Sequence, residues 1–515
     1  YNEAVTKLHS VEDLQDDVDK LYKQLKKFHP RLYQYIPKEH LDFKFDSLKK
    51  SITKPMTSRA FHKELAQVTK FVGQGHMSIS PPSIRYKRKE RKARLMSKFD
   101  INNLDFEYLD HRIIVREARG NDSLLLNAEL LEVNGNNAIN LHNEYKKIVA
   151  SDGYNTTFHD RVVGYRFLKY YQQANGHFDS ITLKLRNQDS TFLKTYKRVF
   201  RGKEALKKDS IKGDSIAQIK SKNTLTKAER KAKKKAKKLA WKRKRENYRK
   251  YGYDFFKKTY FKSLNFIGED STIAVLKIKS FSKGRKYKDF YEEVFTKIDS
   301  AKSQHLIIDL RNNFGGRLNE ILTFYSYLTD ENYTLINKSE TNTRLPILKS
   351  AMSNSTSVTT KLLIGLFSPV VVTYDLLRTS KKDGQLYYKY KAAKEQEPNP
   401  LNFKGKIYVL INGNSFSASS VLSTQLKGTN RAIFVGEETG GAYNGTVAGQ
   451  YKSYVLPNTK IKARIGLMHI DAKPKITPDG YGVKPDVEIL PTYQDRLNNK
   501  DPELEWVLRA IKQNN

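Results

Sequence analysis

Residues 305–316 read His-Leu-Ile-Ile-Asp-Leu-Arg-Asn-Asn-Phe-Gly-Gly. An apolar run that flows into a glycine-ended turn is typical of a buried strand and the loop that follows it. Similar strands are predicted at 406–411 and 431–435, and the second of these is followed by a glycine-rich turn at 436–441. A helix predicted at 417–426 lies between them. Strands that alternate with helices imply parallel pairing and right-handed crossovers, so the sequence predicts an α/β core.

Outward from this core the chain changes character. A strand is expected at 271–278 and a helix at 287–301, so the core should occupy about 262–492. Residues 1–83 are predicted to be helical, because apolar side chains recur there at spacings of three and four: Leu14, Val18, Leu21, Leu25 and Phe28. Between this helical part and the core, residues 104–200 are mixed and rich in predicted strands. With 515 residues, about three domains are expected.

Composition excludes several classes of function. The chain has no cysteine, which rules out disulfide scaffolds, thiol catalysis, zinc-thiolate sites and iron–sulfur clusters. Its most hydrophobic run, 362–377, contains Ser, Pro, Thr and Asp, so a membrane span is not expected. The formal charge is +39, from 94 Lys and Arg against 55 Asp and Glu. Such a balance favours acidic substrates or an anionic surface and makes binding sensitive to salt.

A strongly basic segment occupies residues 227–250, with 14 Lys or Arg and two Glu. Its residues favour a helix but offer almost no apolar face to bury. One interpretation is a solvated connector, and the other is an electrostatic contact with anionic lipid, glycan or nucleic acid. No nucleic-acid fold signature accompanies the segment, so nucleic-acid binding is the least favoured function.

The start of the predicted helix at 417 is rich in hydroxyl groups, with the sequence Asn-Ser-Phe-Ser-Ala-Ser-Ser at 414–420. A serine at this place is commonly a helix cap. The same place also suits a nucleophile, because free amides and the helix dipole stabilise a developing oxyanion. Spacing alone does not decide between these roles.

Four motifs in order carry a family resemblance: Asp-Leu-Arg-Asn-Asn-Phe-Gly-Gly at 309–316, Ser-Phe-Ser-Ala-Ser at 415–419, Gly-Glu-Glu-Thr at 436–439 and Pro-Asp-Gly-Tyr-Gly-Val-Lys-Pro-Asp at 478–486. Together they resemble the C-terminal processing (tail-specific) serine peptidases. The resemblance implies an α/β multidomain protein of five parts: a helical N-terminal domain with a His motif (1–83), a PDZ-like domain (84–200), a basic linker or insertion (201–261), a crotonase/ClpP-like α/β peptidase core (262–492) and a C-terminal helix (493–515).

The same resemblance assigns site residues. Ser417 matches the family's nucleophile, Ala418 would donate one oxyanion amide, and Gly315 or Gly316 would donate the other. Members with a Ser–Lys dyad carry a lysine just beyond the Gly-Glu-x-Thr turn, but residues 428–451 contain none. The chain is therefore more similar to the tricorn-core branch, in which a histidine is the base.

The resemblance to that branch also assigns a histidine base and its acid partner. His76, after Gly75, matches the family's base, although it could also be an ordinary loop histidine. Asp479 matches the acid that orients the base, but a Pro-Asp-Gly turn former is equally consistent with the sequence. Asp471, beside His469, is the fallback. Ser420 departs from the family, since many relatives have Glu there.

The resulting hypothesis is a serine endopeptidase or carboxyl-tail protease that needs no metal or organic cofactor. The alternative is a binding protein for peptides or hydrophobic ligands that uses the same fold without hydrolysis. Expected partners are protein or peptide substrates, with an anionic membrane or envelope surface as a candidate contact of 227–250. A secreted or periplasmic location, with a lipid anchor before processing, is expected from the resemblance and from the start at Tyr1 rather than Met.

Overall fold

A computed structural model describes residues 1–200, 226–268 and 271–513. The N-terminal part is helical, and Ser10 starts its longest helix by accepting a hydrogen bond from the Asp13 amide. The apolar stripe predicted from Leu14 to Phe28 is buried. The elements are α1 (Asn2–Thr6), β1 (Leu8–His9), α2 (Val11–Phe28), α3 (Lys38–Ser51), β2 (Met56–Thr57), α4 (Ser58–Thr69), β3 (Ser78–Ser80) and α5 (Arg88–Met96).

The next part is built on an antiparallel sheet with its own apolar core. Its elements are β4 (Leu104–Leu109), β5 (Arg112–Ala118), β6 (Glu129–Val133), β7 (Asn136–Asn137), α6 (Ala138–Lys146), α7 (Thr157–Tyr165), α8 (Phe167–Asn175), β8 (Ser180–Asn187) and β9 (Ser190–Lys197). The strand order is β4-β5-β6-β8-β9, and β7 pairs with β6. The loop between α6 and α7 carries Asp152, whose carboxylate accepts hydrogen bonds from Thr446 and Ala442 in the last part of the chain.

The basic segment forms a helix, α9 (Lys227–Asn247), followed by β10 (Tyr253–Asp254) and β11 (Thr259–Tyr260). Thr226 and Glu229 start the helix with a reciprocal capping box. The side chains described along α9 are exposed, as expected for a helix without an apolar face. The first part of the predicted linker, residues 201–225, lies outside the described residues.

The last part contains two sheets. Its strands are β12 (Lys262–Ile267), β13 (Ile273–Ile278), β14 (His305–Asp309), β15 (Ser339–Thr341), β16 (Thr379–Lys382), β17 (Gln385–Tyr388), β18 (Lys406–Ile411), β19 (Ala432–Gly436), β20 (Thr446–Val455), β21 (Lys462–Ile470) and β22 (Val487–Glu488). Its helices are α10 (Tyr287–Ser300), α11 (Leu318–Ser326), α12 (Pro346–Ala351), α13 (Val358–Leu366), α14 (Ser368–Arg378), α15 (Ala418–Gly428), α16 (Tyr493–Leu497) and α17 (Pro502–Gln513).

The main sheet has the order β12-β13-β14-β18-β19-β22 and is parallel apart from its edge strand β12. This arrangement confirms the predicted mixed α/β architecture. The second sheet, in the order β16-β17-β15-β21-β20, is joined by β3 of the N-terminal part, which pairs with β21. That pairing carries the loop before β3 to the carboxyl ends of the core strands, where ligands usually bind in α/β sheets.

A buried ion pair ties β12 to α11. The side chains of Lys262 and Glu320 are fully buried and hydrogen-bonded to each other, and Arg317 lies 3.1 Å from Glu320. Burial lowers the pKa of Lys262 and raises the pKa of Glu320, because desolvation disfavours both charges. Each buried charge is therefore tolerated only because the opposite charge of its partner lies beside it.

We expect Lys262→Met to destabilise the protein by about 3 kcal/mol, because it leaves a buried carboxylate with one partner fewer. Urea unfolding measures this difference. Lys302→Met is the control, since Lys302 is a solvent-exposed lysine of a surface pair and its loss should change stability little. Equal midpoints for the two variants would contradict the expectation.

Candidate functional site

Ser417 lies between β18 and the first residue of α15. Its backbone has φ +60°, a left-handed conformation that is rare outside glycine. The loop that presents it is fixed by Ser415, whose hydroxyl donates to the Leu310 carbonyl at 2.8 Å and accepts from the Asn412 amide at 3.1 Å. Strain of this kind persists only where the surroundings hold it in place. The hydroxyl of Ser417 is thus directed into a cleft beside the helix N-terminus.

His76 comes to the same cleft from the N-terminal part. Its Nε2 lies 2.8 Å from the Ser417 Oγ, and its ring stacks on Phe416 with ring centres 4.6 Å apart. Gly75 permits this approach, because a Cβ there would lie 2.8 Å from the Phe416 ring. The two residues are 341 positions apart in sequence, and the pairing of β3 with β21 brings them together.

The other ring nitrogen of His76 is held by a chain of two residues. Nδ1 lies 3.0 Å from Thr446 Oγ1, and that hydroxyl donates to the Asp152 carboxylate at 2.8 Å. Asp152 also accepts from the Gly75 amide at 2.7 Å and from the Ala442 amide at 3.4 Å. While Asp152 is ionised, the single hydrogen of the hydroxyl is donated to its carboxylate, so the Nδ1–H of His76 must donate to Thr446. The Nε2 lone pair then faces Ser417.

Burial shifts the pKa of both ionisable members of this chain. Desolvation, with Arg464 nearby, lowers the pKa of His76 to about 3. Desolvation also raises the pKa of Asp152 to about 7, against the opposing effect of its three hydrogen bonds. At neutral pH the imidazole is therefore neutral, and Asp152 lies near the midpoint of its titration.

The glycine turn after β14 packs against the start of α15. A Cβ on Gly315 would lie 2.6 Å from the Ala418 amide nitrogen, so only glycine allows this approach. The Gly315 amide donates to the Asn313 side chain at 2.9 Å. Within the described part of the chain, no hydrogen bond from the Gly316 amide is found, and the Ala418 amide belongs to the first turn of a helix.

The remaining sequence candidates lie elsewhere. The Asp479 carboxylate accepts from Gln34 at 2.9 Å and lies 3.5 Å from the Tyr35 hydroxyl, whereas Thr446 holds the position that was expected for it next to His76. Asp471 pairs with Lys475 and accepts from Asn337 at 2.9 Å.

The packing around Ser420 explains why this position does not hold the glutamate that many relatives have. Its buried hydroxyl donates to the Ser415 carbonyl at 3.0 Å. A Cβ on Gly441 would lie 2.3 Å from the Ser420 Oγ, so the space beside it is already closely packed. A larger glutamate would not fit at this position without movement of the turn that contains Gly441.

Sequence reasoning missed Thr446 and Asp152. Thr446 begins β20, and Asp152 precedes a glycine in a loop, so each resembles an ordinary turn or strand residue. Only burial distinguishes them, and burial follows from contacts between segments that are far apart in the chain.

The cleft has a volume of about 730 Å³. Apolar and aromatic groups line it alongside polar ones, and Arg166, Arg317 and Arg464 provide positive charge. The apolar and aromatic groups include Tyr287, Phe314, Leu318, Tyr390 and Val421. Across the three described ranges, no cluster of three or more His, Asp or Glu side chains is arranged to hold a metal ion.

Residues 272–489 match the model of peptidase family S41. These residues are an S41 peptidase domain. The match confirms the family resemblance and the class of enzyme that the sequence predicted, a serine-type peptidase. A search of curated proteins finds no match.

Solved structures extend the likeness of fold beyond the S41 domain. Mature CPAF is 15% identical, with a TM-score of 0.61, over 98% of this chain and 97% of that chain. Mature CPAF complexed with lactacystin is 17% identical, with a TM-score of 0.62, over 98% of each chain. The photosystem II D1 C-terminal processing protease is 11% identical, with a TM-score of 0.42, over 92% of this chain and 93% of that chain. The fold of mature CPAF is therefore shared across nearly the whole of this chain.

Proposed function

We propose that this S41 peptidase hydrolyses peptide bonds in proteins or peptides with Ser417 as nucleophile and His76 as general base. The observation that carries the proposal is the 2.8 Å contact between His76 Nε2 and Ser417 Oγ at the floor of the cleft. A neutral imidazole aimed at a serine hydroxyl is the arrangement that nucleophilic catalysis requires.

In the proposed acylation step, Ser417 Oγ attacks the carbonyl carbon of the scissile bond while Nε2 of His76 takes its proton. The resulting imidazolium gives that proton to the leaving amine, the C–N bond breaks and an acyl-enzyme remains. Water then attacks the ester, with His76 again as base, and restores the free serine. Thr446 and Asp152 are positioning residues that keep the proton of His76 on Nδ1.

The oxyanion would be bound by the amides of Ala418 and Gly316. Gly315, the other sequence candidate, already donates its amide to Asn313. The Ala418 amide opens α15, so the helix dipole adds to its effect on a negative charge. Each such donor contributes about 3 kcal/mol to transition-state stabilisation in serine peptidases.

The lining of the cleft supports an extended peptide with acidic side chains. Arg166 and Arg464 reach the cleft, and the net charge of +39 gives the surroundings a positive field. Processing at the carboxyl tail of a substrate, a PDZ-like role for residues 84–200, a crotonase-like core and a secreted or periplasmic location remain proposals from the sequence.

The proposal is tested by labelling the intact protein with a fluorophosphonate probe. Wild-type protein should label at a single serine, and Ser417→Ala should abolish labelling. Ser419→Ala is the matched control, since Ser419 is a buried serine two positions along the same motif. If folded wild-type protein does not label in the presence or absence of casein, the binding-protein alternative replaces the peptidase proposal.

A further inference from the structure

Two short helices, α13 and α14, are joined at Phe367 with a bend of 69° between them, and this bent pair (called the hairpin below) has an unusually apolar surface. Val358, Leu362 and Leu366 of α13 recur at a spacing of four, and Val370, Tyr374 and Leu377 of α14 at spacings of four and three, so each helix presents one apolar stripe. Leu362 is 70% exposed, Leu366 73%, Val370 70% and Leu377 82%. The full set of exposed apolar side chains is Val358, Leu362, Leu363, Leu366, Phe367, Val370, Tyr374, Leu376 and Leu377.

A contiguous apolar patch of this kind marks an interaction site rather than an ordinary surface. Exposed leucines elsewhere are fewer in any one stretch: Leu193 is alone in β9, and Leu124 has Leu126 near it. Here nine large apolar side chains fall within 20 residues. The hairpin therefore needs an apolar partner.

Charge identifies the partner. Residues 346–382 contain five basic residues, Lys349, Lys361, Arg378, Lys381 and Lys382, and a single acid, Asp375. Asp375 is fully buried and accepts from the amides of Ile347 at 3.4 Å and Leu348 at 3.1 Å, at the start of α12. The solvent-facing charge within residues 346–382 is thus entirely positive, which complements the headgroups of anionic lipids, and the next acid along the chain is the exposed Asp383.

Geometry restricts how deep the hairpin can insert. In the described residues, no single helix is long and apolar enough to cross a membrane, and α13 with α14 passes on length and composition only as a pair bent by 69°. With nine and 11 residues, the two helices are about 14 and 17 Å long, about half the thickness of a hydrocarbon core. Such a hairpin fits the interfacial region of a bilayer.

We propose that α13 and α14 form a monotopic docking site for an anionic lipid membrane, with the apolar stripes inserted and the basic residues at the headgroups. Asp375 anchors the hairpin to α12, and α12 packs against β20, whose residues Gln450 and Tyr451 line the peptidase cleft. Docking would therefore hold the cleft near the membrane surface. This site is separate from the basic helix α9.

The test is flotation of the intact protein with vesicles of phosphatidylcholine alone or mixed with phosphatidylglycerol. Wild-type protein should float with the mixed vesicles, and Leu366→Ser combined with Leu377→Ser should lower the bound fraction about tenfold or more. Leu124→Ser combined with Leu193→Ser is the matched control, since these leucines are 84% and 69% exposed, and should bind as wild type does. Undiminished binding of the hairpin variant would overturn the proposal.

A second measurement locates the inserted residue. Leu366→Trp should show a blue-shifted emission when mixed vesicles are added, and Leu124→Trp should not. The proposal is overturned if no vesicle shifts the Leu366→Trp emission, or if neutralising Lys233, Lys234 and Lys237 of α9 abolishes flotation while the hairpin variant keeps it. It is also overturned if wild-type protein is a dimer that does not bind vesicles and the hairpin variant is a monomer. The patch would then bind a second copy of the chain.

Discussion

Ser417→Ala should lower kcat/KM for peptide hydrolysis by at least about 10⁴-fold, because the variant lacks the hydroxyl that forms the acyl-enzyme. His76→Ala should cost nearly as much, since Nε2 of His76 is 2.8 Å from the Ser417 hydroxyl and takes its proton. The double variant should be no slower than either single variant. Residues that act as one unit give such non-additive losses, whereas independent contributions multiply.

Two controls keep this result interpretable. His40→Ala replaces an exposed histidine of α3 and should leave hydrolysis unchanged. Near-ultraviolet circular dichroism should show that the three inactive variants keep their tertiary packing. A fully active His76→Ala variant would remove His76 from the mechanism while leaving the nucleophile assignment intact. Losses that multiply in the double variant would show that the two residues do not act together.

The α/β core could be predicted from sequence because the patterns that indicate its strands and turns are local. Apolar strands such as 305–310 and 406–411 precede turns with glycine or hydroxyl groups, and each pattern is complete within a short stretch. Parallel pairing then places the ends of those strands at one edge of the sheet. The position of Ser417 follows from this topology together with the motif that contains it.

The residues that hold the His76 ring could not be predicted from local sequence patterns. Thr446 and Asp152 are 370 and 76 positions from His76, and they meet it through the β3–β21 pairing and the loop after α6. A sequence motif favoured Asp479 because it stands near the Gly-Val-Lys-Pro-Asp stretch, but its carboxylate is held by Gln34 and Tyr35. Only the packing of three distant segments reveals which carboxylate lies behind the histidine.

Asp152 gives the site a dependence on pH that His76 alone would not. The pKa of His76 is about 3, so protonation of the imidazole affects activity only in strongly acidic solution. The pKa of Asp152 is about 7, because burial disfavours its charge. Below that value Asp152 carries a proton that it can donate to Thr446. Thr446 would then donate to Nδ1 of His76, which forces the proton onto Nε2 and removes the lone pair that faces Ser417.

The same shift affects stability in the opposite direction. Because the pKa of Asp152 is raised above its ordinary value of 3.8, the folded protein binds this proton more tightly than the unfolded chain does. The contribution of Asp152 to stability is therefore fully present below pH 3.8 and is lost as the pH rises towards about 7. Activity and the stability contributed by this group thus change in opposite senses as Asp152 ionises.

We therefore expect kcat/KM of the wild type to rise with pH along an acid limb centred near pH 7, the pKa of Asp152. Asp152→Asn should remove this limb, because an amide accepts from Thr446 without titrating, and should lower the plateau about 10²-fold through loss of the negative charge. This loss is smaller than the roughly 10⁴-fold effect seen where a carboxylate contacts the catalytic histidine directly, since Thr446 stands between them. An unchanged acid limb in Asp152→Asn would assign the titration to another group. A role limited to structure would instead lower activity equally at every pH and leave the midpoint of the limb in place.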